Sequence, residues 1–206
     1  MPDYFIQNLA HRLQQPLPGR AAQLRMAHIT RRMYVEAPAD ARQAGVLAVL
    51  FQKNEVWQVV LIERRQVRGD QHGGQIGFPG GKYEPEDPNL EQTALRETEE
   101  EVGIRQQDIK MLGKLTELYI PVSNFQVHPF VGYLEYEPAF VLQKDEVSAV
   151  LTVPFSEFRK QDAIKTTDIR IGEYLMLKNV PYFNIEGKVL WGATAMMLSE
   201  LLEIIP

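Results

Sequence analysis

The sequence predicts an α+β protein, a mixed β-sheet flanked by helices in an α/β/α sandwich. Three observations predict it. Short β-rich runs come in clusters between residues 45 and 184, a long polar helix interrupts them near residues 88–102, and further helical patterns stand at both ends.

At the amino end, Phe5, Ile6, Leu9 and Leu13 recur at helical spacing among polar neighbours, predicting an amphipathic helix over 1–15 that packs on the main body. Residues 16–32 read as a loop and a mixed segment, with a break at Pro38. Runs 45–51 and 56–62 are β-rich and separated by 52–55, the pattern of a hairpin. Residues 64–74 form a polar, glycine-containing loop, and 75–78 a short strand before a turn at Pro79-Gly80-Gly81. The clearest helix spans 88–102, with Asp87 as N-cap, Pro88 at its first position and Gly103 at its stop. Strands are expected at 111–120, 127–134, 147–153, 169–177 and 181–184, and an apolar helix at 193–204. With no repeat, low-complexity tract or linker, residues 1–206 are expected to form one domain with a helical extension over about 1–40.

Composition narrows the function. The chain is 45% hydrophobic and 24% charged, as in ordinary soluble globular proteins, and no apolar run approaches a membrane span. No partnership with membrane is expected. The absence of cysteine excludes disulfides, thiolate zinc sites and thiol nucleophiles, and suits a reducing, cytoplasmic location. Histidines 11, 28, 72 and 128 lack metal-ligand spacing. A net charge of −5 argues against a generic nucleic-acid binder, although cations can bridge an acidic enzyme to an anionic substrate. Oligomeric state is left open.

The chemistry is concentrated in Arg96-Glu97-Thr98-Glu99-Glu100-Glu101-Val102-Gly103-Ile104. On a helix, Glu97, Glu100 and Glu101 stand at i, i+3 and i+4 within an arc of about 100°, while Leu95, Thr98 and Val102 face elsewhere, toward a core. Like charges at that spacing cost a few tenths of a kcal/mol. Hard cations between them would remove the penalty, and magnesium prefers such oxygen ligands. The alternative is a solvated acidic face. The preceding Gly80-Gly81, where backbone can approach a ligand closely, favours the cation reading.

The segment Gly81 to Ile104 resembles the box that defines the Nudix hydrolases, G-x5-E-x7-R-E-U-x-E-E-x-G-U with U apolar. Two departures are present: Asp87 replaces the first glutamate, and the gap to Arg96 is one residue longer. The resemblance implies a Nudix-like mixed sheet and a diphosphatase dependent on magnesium, with manganese as an alternative, acting on a small nucleotide. By position it implies metal ligation by Glu97, Glu100 and Glu101, with the Gly81 carbonyl, and catalytic roles for Glu97 and Glu101. Arg96 would orient Glu100, and Glu99 would be solvated.

Beyond the box, Leu61-Ile62-Glu63-Arg64-Arg65, His72-Gly73-Gly74-Gln75-Ile76 and Trp191-Gly192-Ala193-Thr194-Ala195 are similar to the coenzyme A diphosphatase branch, as are Leu17-Pro18-Gly19, Ala22-Gln23 and Met26. That branch often carries an arginine where this chain has Asp70. The resemblance implies coenzyme A or a derivative as substrate, giving 3′,5′-ADP and 4′-phosphopantetheine. The alternatives are another nucleoside diphosphate derivative, such as ADP-ribose or a dinucleotide, and a catalytically silent binding module.

Arg64, Arg65, Arg68, His72 and Lys82 make a cationic cluster suited to phosphate oxygens, or a solvated loop offset by Glu63, Asp70 and Glu84. Arg65 is the leading substrate contact, with Arg68, His72, Gln75 and Lys82 beside it. Glu146, opening a strand-like run, is the expected general base, with Glu117 and Glu97 as alternatives. Gly80-Gly81-Lys82 is no phosphate loop, because Tyr83 replaces the needed hydroxyl, and no G-x-S-x-G elbow exists.

Overall fold

The computed structural model describes residues 4–31, 36–66, 73–171 and 175–206. Arg68, Asp70 and His72 therefore lie outside the described residues. The helices are α1 (Tyr4–Leu13), α2 (Gly19–Gln23), α3 (Leu90–Val102), α4 (Phe155–Phe158) and α5 (Gly192–Ile204). The strands are β1 (Arg42–Lys53), β2 (Val56–Arg64), β3 (Ile76–Gly77), β4 (Gly80–Lys82), β5 (Lys110–Lys114), β6 (Leu118–Ile120), β7 (Phe125–Tyr133), β8 (Val147–Pro154), β9 (Ile164–Ile171), β10 (Leu175–Ile185) and β11 (Lys188–Trp191).

Among the described residues, eight strands form one sheet along the path β3-β2-β1-β7-β5, with β4 on β1, β6 on β7 and β8 on β2. β1 and β7 run parallel and the other pairs antiparallel, so the sheet is mixed. Strands β9, β10 and β11 form a second sheet. Strand alternation divides the main sheet's two faces. Leu47, Val49, Phe51, Val60 and Ile62 pack with Ala94, Leu95 and Val102 of α3. Ala48, Leu50, Val59 and Leu61 share the opposite core with Ile6 and Leu9 of α1 and with Met197, Leu198 and Leu201 of α5. The result is a layered α/β/α arrangement. The first helix docks as its apolar stripe requires, with Phe5 stacked on Trp57 at 5.0 Å between ring centroids. No helix among the described residues is long and apolar enough to cross a membrane.

Three local expectations are corrected. Helix α3 begins at Leu90, capped by Asn89, whose side chain accepts from the Gln92 N–H; the Asp87 carboxylate is engaged elsewhere. The expected turn at Pro79-Gly80-Gly81 is instead an entry into strand, with Gly80–Lys82 paired to residues 44–46 of β1. The run 169–177 belongs to two antiparallel strands, Ile171 facing Leu175 across β9 and β10. The stop at Gly103 is as expected: its φ of 76° is the left-handed conformation that glycine tolerates, and its N–H closes onto the Glu99 carbonyl.

Candidate active site

The carboxylate helix lies over the β1–β4 ladder with Thr93, Leu95, Thr98 and Val102 buried beneath it. Its acidic residues divide by environment. Glu101 is 1% exposed, Glu97 is largely covered, and the Glu100 side chain remains 56% exposed. Glu101 accepts a hydrogen bond from the Gly80 N–H at 2.9 Å, and Arg64 stands 3.7 Å from its other oxygen. Burial pushes the Glu101 carboxyl up to about 7, opposed by the Gly80 and Arg64 contacts. Burial also raises Glu97, against the pull of Arg96. A buried carboxylate with so little direct compensation is held at a cost.

Gly81 carries the tightest constraint. A Cβ there would fall 2.3 Å from Glu97 Cδ and 2.5 Å from both carboxylate oxygens. The glycine backbone and the Glu97 carboxylate therefore form one cradle, and only the residue without a side chain permits it. This donor set, hard oxygens largely shielded from solvent, fits a divalent cation such as magnesium. Among the described residues, no three acidic or imidazole side chains already converge at ligand spacing. Arg96 Nη1 donates to Glu97 at 2.9 Å and to Glu100 at 3.0 Å, holding both carboxylates against one guanidinium.

Arg96 does more than the i,i+4 pairing expected of it. Its Nε and Nη2 donate to the two oxygens of Asp87 at 2.8 and 3.0 Å. Asp87 also accepts from the Thr93 hydroxyl and the Glu84 N–H. The Arg96 hydrogen bonds, foremost, hold the Asp87 carboxyl well below the usual carboxylate range despite its burial. Glu99 is not simply solvated, since it accepts from Gln106 at 2.8 Å.

Glu146 precedes β8 on an exposed turn, and its charge raises both Glu97 and Glu101, which puts it within electrostatic reach of the pocket. The alternative Glu117 is engaged elsewhere, with His128 at 3.2 Å and Lys114 at 3.7 Å. Arg65 is bound to the turn that carries Glu146. Its Nη1 donates to the Lys144 carbonyl at 2.6 Å and its backbone N–H to the Glu146 carbonyl at 2.7 Å, so it fixes that turn. Lys82 is exposed on β4, and the Gln75 carbonyl accepts from the Arg64 N–H. Arg64 stands beside Glu101, 3.7 Å from its carboxylate, a placement the loop reading of residue 64 hides.

A cavity of about 750 Å³ lies between the N-terminal helices and β5–β7 and is lined by no residue of α3, so it is not the carboxylate site. A groove of about 450 Å³ lies between the β2–β3 hairpin and the second sheet, lined by Glu63, Gly74, Ile76, Arg170, Lys188 and Trp191 among others.

The NUDIX domain family matches residues 41–174. A Yersinia enterocolitica protein named Uncharacterized Nudix hydrolase NudL is 32% identical over 92% of this chain and 86% of its own length. Its Yersinia pestis counterpart of the same name is 34% identical over 79% of each chain. The crystal structure of a MutT/nudix family protein from Enterococcus faecalis superposes with a TM-score of 0.50 at 16% identity, covering 90% of this chain and 71% of that one. Sequence likeness of this extent, on a fold of this topology, settles the kinship: the chain belongs to the Nudix hydrolases, which use divalent cations to hydrolyse nucleoside diphosphate derivatives.

Proposed function

We propose that this enzyme splits the diphosphate of coenzyme A or its derivatives, releasing 3′,5′-ADP and 4′-phosphopantetheine. The carrying observation is the cradle of Gly81 and Glu97 beside buried Glu101, which concentrates hard oxygen donors against bare backbone. The choice of coenzyme A rests on the similarity of segments 61–65, 72–76 and 191–195 to the coenzyme A branch. The groove bounded by Glu63, Gly74, Ile76 and Trp191 adds support, because it leaves room beside those segments for the organic part of a large metabolite.

In this reading Glu97, Glu100, Glu101 and the Gly81 carbonyl hold the cations, and Glu97 and Glu101 belong to the catalytic set. Bound magnesium supplies charge neutralisation at the diphosphate and lowers the pKa of water. Arg96 keeps Glu97 and Glu100 on one side of the helix, and Asp87 anchors Arg96. Glu146 accepts the proton of the attacking water. The water oxygen bonds to one phosphorus, the anhydride P–O bond breaks, and the other phosphate leaves with that oxygen. Lys82, Gln75 and, outside the described residues, Arg68 and His72 are assigned to the substrate's outer contacts. The absence of cysteine fits work in the cytoplasm.

Asp70, standing where the coenzyme A branch often has arginine, favours a second reading: ADP-ribose or a dinucleotide as substrate. Incubating the purified protein and magnesium with coenzyme A, acyl derivatives, ADP-ribose and dinucleotides, with products identified by mass spectrometry, separates the two. Preferential release of 3′,5′-ADP supports coenzyme A. Preferential release of AMP from ADP-ribose or a dinucleotide moves the assignment.

A further inference from the structure

We infer that Arg64, not the neighbouring Arg65, is the side chain that grips the substrate's diphosphate. This rests on the diphosphatase reading above and names a residue for its binding step. Strand periodicity supplies the first argument. Val60 and Ile62 face α3, whereas Val59 and Leu61 face the opposite core. Glu63 continues the second series and pairs with Lys188 of β11 at 2.6 Å. Arg64 continues the first and is carried onto the α3 face, 3.7 Å from Glu101. The one-residue alternation thus gives two adjacent arginines different destinations.

A break in the ladder reinforces the placement. The register of β2 against β8 shifts between Glu63 and Arg64, so that Glu63 faces Ala149 and Arg64 faces Val147. The extra residue is Ser148 of β8, so the bulge bends the start of that strand, beside the turn that carries Glu146, and leaves the β2 alternation intact. The Arg64 guanidinium thus stands beside Glu101, and the charges of Glu97 and Glu146 act on the same carboxylate. At 3.7 Å the contact with Glu101 exceeds hydrogen-bond range and is Coulombic. The planar guanidinium matches two phosphate oxygens at once. Arg65 instead gives its Nη1 to the Lys144 carbonyl and lies 3.9 Å from Asp145.

The test is calorimetric titration of inorganic pyrophosphate into the full-length protein in calcium, with manganese affinity of the same variants measured by electron paramagnetic resonance. R64Q should weaken pyrophosphate binding about 10- to 100-fold, the range of a lost hydrogen bond to a charged group. R64K should recover part of that loss, and R65Q should weaken binding less than about 3-fold, as for an exposed charge. Manganese affinity of R64Q should stay near wild type. Undiminished pyrophosphate binding by R64Q, or a larger loss in R65Q, overturns the inference. So does loss of manganese binding in R64Q, because Arg64 would then act by holding Glu101. A wild-type protein that binds no pyrophosphate overturns it too. Arg64-dependent pyrophosphate binding without coenzyme A turnover would remove the coenzyme A reading alone.

Discussion

The carboxylate of Glu97 occupies the space that a side chain at residue 81 would need: a methyl group there would sit 2.3 Å from Glu97 Cδ. Gly81→Ala must therefore displace Glu97 or lift β4 from β1. Overpacking of this kind costs about 1–3 kcal/mol. The larger expected effect is functional, a fall in magnesium-dependent turnover of about 100-fold as the positioned carboxylate shifts. Parallel measurement of thermal unfolding and kcat/KM checks it. Wild-type turnover in Gly81→Ala would show that the cradle is incidental.

Asp87 stands where the family box has glutamate, and it makes a bidentate bond to Arg96. Asp87→Asn removes the buried bidentate partner of Arg96, leaving it only Glu97 and Glu100, and should cost about 1–3 kcal/mol. The pH dependence has a definite sign. A carboxylate with a depressed folded-state pKa stabilises above its unfolded value, 3.8, and loses that contribution as pH falls through the folded value. The stability gap between wild type and Asp87→Asn should thus be full at neutral pH and shrink below about pH 4. Urea unfolding of both proteins at the two pH values measures it. A gap that widens in acid would contradict the assignment.

A second buried carboxylate ties the amino-terminal segment to the sheet. Glu200 on α5 is 0% exposed and accepts from Gln23 at 2.9 Å and from the Thr116 hydroxyl at 2.6 Å. Glu200→Ala strands those donors and should destabilise the fold by about 2–4 kcal/mol. Hydrogen exchange should then accelerate in α2 and around Thr116. Unchanged exchange in α2 would show that α2 docks without this link.

What the sequence disclosed was decided by local rules. The α3 stripe of Leu95, Thr98 and Val102, the Gly103 stop and the amphipathic α1 follow from periodicity and capping, and each stands where expected. Residues whose role depends on a distant partner were less legible. Asp87 had the composition of an N-cap, yet Arg96 nine positions later claimed it, and Asn89 took the cap. Arg65 was favoured over Arg64 by family resemblance. Extending the β2 alternation by two residues past Ile62 puts Arg64 on the α3 face, beside Glu101. Nothing local marked Glu200, whose partners lie 84 and 177 positions away.

The central claim is that buried Glu101, beside Glu97 and Gly81, serves cation-dependent cleavage of a diphosphate. Steady-state kinetics of wild type and Glu101→Gln with coenzyme A and magnesium, alongside their unfolding curves, test it most directly. The expected result is loss of turnover by about 1000-fold or more in a variant that remains folded, the scale of removing electrostatic support from a transition state. A folded Glu101→Gln protein that turns substrate over at close to the wild-type rate would contradict the account.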